Sequence, residues 1–90
     1  MHKEILPLGS VVSLKDTEMY FIIIGYKMLD EKENKVWDYL GCVYPVGVLS
    51  NDTTLVFDKE KIDKVIFTGF SDKEGEEFRK KISASIGDEK

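Results

Sequence analysis

Met19-Tyr20-Phe21-Ile22-Ile23-Ile24-Gly25-Tyr26-Lys27-Met28-Leu29 decides the fold. From Tyr20 to Ile24 no polar residue interrupts the run, as expected of a strand with both faces covered. Three consecutive isoleucines favour strand over buried helix, because a branched Cβ restricts χ1 against the preceding helical turn. Gly25 within such a strand predicts a bulge or a sharp bend, the device by which small barrels turn corners.

Working outward, Pro7 and Gly9 fix an extended approach to a short β-branched strand, Ser10 to Leu14. Lys15-Asp16-Thr17-Glu18 is hairpin-loop length. On the other side, Asp30-Glu31-Lys32-Glu33-Asn34-Lys35 makes a solvated hairpin tip. Val36 to Tyr44 then alternates, with Trp37, Tyr39, Gly41 and Val43 on one face and Val36, Asp38, Leu40, Cys42 and Tyr44 on the other. Tyr44-Pro45-Val46-Gly47 ends that strand, since proline cannot donate to a central ladder. Asn51-Asp52 marks a further turn before a short strand, Thr53 to Phe57. One helical turn capped by Asp58 leads into a strand at Val65 to Thr68.

The last element predicts a helix over 72–85. Ser71 and Glu74 fit a capping box, and Asp72, Glu74, Glu76 and Glu77 precede Arg79, Lys80 and Lys81, matching both ends of the helix dipole. Phe78, Ile82 and Ile86 form a narrow apolar stripe, and Gly87 suits a C-terminal stop. The chain of 90 residues therefore reads as a single domain, 1–90, with residues 1–5 frayed. Its expected class is α+β and mainly β: a curled antiparallel sheet or small open barrel of 4–6 strands with one C-terminal helix. Ile22, Ile24, Leu40, Cys42, Ile66 and Phe78 are the expected core.

Composition narrows the function. The apolar fraction of 42% and charged fraction of 33% are those of a soluble globular chain. Seventeen acids against thirteen bases, a net charge of −4, weigh against nucleic acid or an anionic membrane as partner. The longest apolar run is far short of the ~20 residues of a membrane helix, and no secretory signal pattern opens the sequence, so a cytoplasmic protein is expected. Cys42, the one cysteine, allows no intramolecular disulfide and reads as a packing residue. The one imidazole, His2, lies at the N-terminus, so no metal site is expected, and the scattered glycines build no phosphate-binding loop or cofactor site. Asp38 is the one acid inside a strand; it reads as a solvent-facing carboxylate or a structural hydrogen-bond acceptor rather than a tuned general acid. Ten aromatics include Trp37, Tyr39 and Tyr44, taken as a candidate protein-binding surface. A base-stacking platform would need a basic groove, whereas residues 1–57 carry five bases and eight acids.

Leu6-Pro7-Leu8-Gly9-Ser10-Val11-Val12, Ile22-Ile23-Ile24-Gly25, Asp38-Tyr39-Leu40-Gly41-Cys42-Val43-Tyr44-Pro45-Val46-Gly47 and Ile62-Asp63-Lys64-Val65-Ile66-Phe67-Thr68-Gly69-Phe70 occur in that order. Together they resemble the domain of unknown function 4176 family over roughly residues 6–82. Val46 departs from the polar or acidic residue expected in its turn. The family comprises small Gram-positive proteins often encoded beside type VII secretion genes and LXG-domain toxins. The resemblance implies a non-enzymatic accessory, an adaptor or chaperone that binds an LXG toxin or a small helical secretion-targeting protein before export, monomeric when unbound. The alternatives are an immunity protein that neutralises a toxin domain and a small-barrel binding module of another kind.

Overall fold

A computed structural model describes residues 5–88, with side chains through Ala84. Five strands follow one another: β1 (Val11–Leu14), β2 (Tyr20–Asp30), β3 (Lys35–Val43), β4 (Thr54–Phe57) and β5 (Ile62–Phe67), then α1 (Lys73–Asp88). They form one antiparallel sheet in the order β4-β3-β2-β1-β5. Short 3-10 turns, Asn51–Thr53 and Lys59–Lys61, precede β4 and β5.

The short link from β4 to β5 forces the sheet to curl. The two strands lie at opposite edges, about 19 Å apart across four spacings of a flat sheet. Five residue steps from Phe57 to Ile62 span at most about 18 Å when fully extended, and the 3-10 turn shortens them further. Only a curled sheet brings its edges near enough, so the fold is an open barrel. Val12, Leu14, Phe21, Ile23, Tyr39, Phe57 and Ile62 fill its inside, with Ile5 and Ile82 of α1 joining from outside the sheet.

Gly25 marks a bulge, as its position in the strand predicted. Ile23 pairs with Gly41 and Gly25 with Leu40, leaving Ile24 without a partner across the ladder. A second irregularity pairs Val12 with Val65 and Val11 with Phe67, so Ile66 is skipped in the same way.

These bulges correct the expected core. Only Cys42 of the six residues is buried; Ile22 and Leu40 are half-buried, and Ile24, Ile66 and Phe78 are exposed. The inward face of β2 is that of Phe21 and Ile23, so Ile22, its partner Cys42 and the neighbouring Leu40 line the outer face. Nor are both faces of β2 covered. Phe78 fails for a different reason: α1 reaches the core through Ile82, one turn later, while Phe78 meets only the rim at Tyr26, ring centroids 6.4 Å apart.

The ends also differ from expectation. Ile5, placed in the frayed terminus, is buried in the core cluster; the rest of that segment, with His2, lies outside the described residues. Asp72 rather than Ser71 caps α1, its carboxylate accepting the Gly75 N–H at 2.9 Å. Ser71 instead accepts from the Arg79 guanidinium. The helix runs on past Gly87 to Asp88, and the Ile86 side chain lies outside the described ones.

Candidate functional site

Trp37, Tyr39 and Tyr44 do not form one surface. Tyr39 is 0% exposed. Its ring sits between Tyr26 and Phe57, at centroid separations of 6.2 and 5.6 Å. Its hydroxyl accepts the Leu6 N–H at 3.0 Å, and the Tyr26 hydroxyl donates to the Leu6 carbonyl at 2.6 Å. The two tyrosines thus satisfy both backbone groups of one residue and fasten the N-terminal segment across the barrel end. Burial pushes the Tyr39 phenol up to about 12, and burial also raises that of Tyr26. Enclosed and bonded in this way, Tyr39 acts as a strut of the barrel end.

Trp37 stands half-buried at the start of β3, opposite Met28. The Lys35 ammonium lies 3.8 Å from its ring centroid and 2.9 Å from an Asp58 carboxylate oxygen. Its hydrogen bond to Asp58 raises the lysine above the ordinary range. Asp58 also accepts the Asp38 N–H at 3.2 Å, and the buried Asp38 carboxylate accepts the Lys59 N–H at 2.9 Å. The exchange ties β3 to the turn before β5. Asp38 is therefore the structural acceptor that one of its two readings foresaw, and Asp58 braces the strand instead of capping the turn it precedes.

Tyr44 follows the end of β3, seven residues from Trp37 and so about 23 Å along an extended chain. Its N–H donates to the Tyr20 carbonyl at 2.9 Å, and the two rings stand 6.4 Å apart. Both are open, Tyr44 at 52% and Tyr20 at 42% exposure. On the same outer face, register aligns Phe67, Val11, Ile22 and Cys42 across four strands, with Phe67 62% exposed. Phe67 has no local signal that marks it for this face, and recognising that Ile22 and Tyr20 share a face with Tyr44 needs the β2–β3 register.

Among the described residues no group of three His, Cys, Asp or Glu is placed to hold a metal ion, and no helix is long and apolar enough to cross a membrane. The candidate site is thus the outer sheet face on which the open rings of Tyr20, Tyr44 and Phe67 stand, with half-buried Val11 and Ile22 between them. No curated protein and no solved structure matches the chain. The family described as "Domain of unknown function (DUF4176)" matches residues 5–78, which spans the whole sheet and the start of α1. The chain belongs to the DUF4176 family.

Proposed function

We propose that this protein is a non-enzymatic, cytoplasmic protein-binding accessory, an adaptor or chaperone that holds an LXG-domain toxin or its small helical partner before type VII export. One observation carries the binding role: the outer sheet face carries the solvent-open rings of Tyr20, Tyr44 and Phe67, joined through half-buried Ile22 and Val11. A small barrel gains nothing in its own stability from exposing these rings, and contiguous exposed apolar surface is characteristic of partner sites. Tyrosine suits this use because its ring supplies area and its hydroxyl a polar handle. Asp38, the one buried carboxylate among the described residues, is occupied in bracing β3, which supports a role without acid–base chemistry.

Co-expression with the toxin of the neighbouring gene tests the proposal. The wild-type protein should co-purify with the N-terminal LXG part or its helical partner. Tyr20→Ala and Tyr44→Ala should each weaken capture by about 2 kcal/mol, the size of an interface hot spot, while circular dichroism stays unchanged. Capture of only the C-terminal toxic domain would make it an immunity protein, a role to which its net charge of −4 also lends itself when the toxin is a nuclease, because carboxylates can mimic the phosphates of its substrate. Failure to bind any product of its own locus would end the secretion reading.

A further inference from the structure

A second surface stands on the link between β5 and α1. Phe70 is 80% exposed, the highest value among the large apolar residues described, and Phe78 is 55% exposed. Phe70 is not on a free loop. On one side the Gly69 N–H donates to the fully buried Ser10 hydroxyl at 3.0 Å, and a Cβ at Gly69 would collide with the Leu8 carbonyl. On the other side Asp72 caps α1, its carboxylate holding the Gly75 N–H and its carbonyl the Glu76 N–H, each at 2.9 Å. The backbone is braced on both sides of the ring, and the ring is held outward.

Between Phe70 and Phe78 lies a shallow depression of about 580 Å³, rimmed by Asp72, Glu74, Glu77 and Lys81. Three carboxylates against the Lys81 ammonium, with the Arg79 guanidinium lying beside Gly75 and Asp72, leave this apolar floor a border of net negative charge. Charge complementarity selects the occupant. A second copy of the chain would bring its own three carboxylates and a net charge of −4 to the contact, so self-association is disfavoured. We propose that the Phe70–Phe78 depression docks a basic amphipathic segment of a partner protein. Its apolar side chains fill the space between the rings, and its lysines or arginines meet Glu74, Glu77 and Asp72 or lie over the ring faces. This surface is separate in residues from the Tyr20–Tyr44 face and does not depend on it.

The probe is a synthetic amphipathic peptide of leucine and lysine, with a leucine–glutamate counterpart as control. Titrated into the ¹⁵N-labelled protein, the basic peptide should shift amide resonances of residues 69–81 and leave those of Tyr20 and Tyr44 in place. By fluorescence anisotropy, Phe70→Ala/Phe78→Ala should weaken binding at least tenfold. Glu74→Gln/Glu77→Gln, on the solvent side of the helix, should weaken it similarly and flatten its salt dependence. Tyr20→Ala/Tyr44→Ala should bind the peptide as wild type does, which separates this proposal from the sheet-face one. The proposal is overturned if wild type does not bind, if the acidic peptide binds equally, or if the phenylalanine variant binds as tightly as wild type, which would mark charge adhesion alone. It is overturned too if sedimentation shows a dimer that Phe70→Ala/Phe78→Ala dissociates, since the occupant would then be a second copy.

Discussion

Two pairs of tyrosines stand almost equally far apart, Tyr26–Tyr39 at 6.2 Å and Tyr20–Tyr44 at 6.4 Å between ring centroids, yet they serve opposite ends. The first pair lies inside the barrel end, where both hydroxyls find the backbone of Leu6 and one ring is fully enclosed. The second lies on the outer face, where both rings remain open to solvent. Ring count and spacing do not distinguish them. What does is whether another stretch of chain arrives to cover the rings and satisfy the hydroxyls. For Tyr39 that stretch is 33 residues away in sequence.

The largest effect belongs to Tyr39→Ala. Losing an enclosed aromatic ring costs about 3–5 kcal/mol, which for a domain of this size approaches the whole folding free energy. Urea melts of this variant should show a largely unfolded protein at 25 °C. A loss under about 1 kcal/mol would put Tyr39 among the contact residues after all.

Next in size comes the helix, where Ile82 and Phe78 repeat the contrast one turn apart. Ile82 is in the core cluster and Phe78 is mostly outside it. Ile82→Ala should cost about 2–4 kcal/mol and Phe78→Ala under about 1, read from the same denaturant midpoints. Equal losses would mean that Phe78 is a structural residue and that the depression beside it belongs to the core.

Alkaline pH probes the inner pair alone. In the unfolded chain the Tyr39 phenol ionises near 10; in the fold it does so at about 12. Below pH 10 both states keep the proton and the stability is whole. Between 10 and 12 the unfolded state alone releases it, so stability falls as pH rises. A shift of that size amounts to about 2–3 kcal/mol, and the raised phenol of Tyr26 acts in the same direction. Thermal melts should decline across this window in wild type and decline less in Tyr39→Phe. That variant also loses the acceptor for the Leu6 N–H, about 1–2 kcal/mol at neutral pH. An unchanged alkaline decline in Tyr39→Phe would assign it to other groups. Asp38→Ala, which leaves the Lys59 N–H without its charged acceptor, should cost about 1–3 kcal/mol at pH 7, measured in the same way.

Much of the architecture was legible because it rests on local signals. Loop lengths announced the hairpins, Gly25 the bulge, Pro45 the end of β3, and the charge order along residues 72–81 the helix. The choice of inner face was not legible, because β2 is apolar on both sides and each bulge resets the alternation by one residue. A reader of Ile22-Ile23-Ile24 has no local reason to prefer Ile23. The candidate site suffered the same loss. The exposure of Tyr44 follows from its place beyond the strand end, but the burial of Tyr39 required knowing that Leu6 crosses the barrel end, and the shared face of Tyr20 and Phe67 required registers linking four strands. The cap at Asp72 rather than Ser71 shows that even a local signal can slip by one residue when the neighbouring serine is taken by Arg79.

The outer pair gives the smallest effect. Tyr44→Ala and Tyr20→Ala remove rings that are about half solvated, so the lost transfer free energy is at most a fraction of that at Tyr39. The backbone bond between the Tyr44 N–H and the Tyr20 carbonyl survives either change, since neither side chain makes it. What is lost is one tilted ring contact, worth about 0.5–1.5 kcal/mol when buried and less at an open face. Each variant should therefore melt within about 0.5 kcal/mol of wild type. That near-neutrality is what qualifies them as binding probes, because a change in capture is then a change in the surface and not in the fold. A destabilisation above about 2 kcal/mol in either would show that the outer pair is structural, and the binding role would lose the observation that carries it.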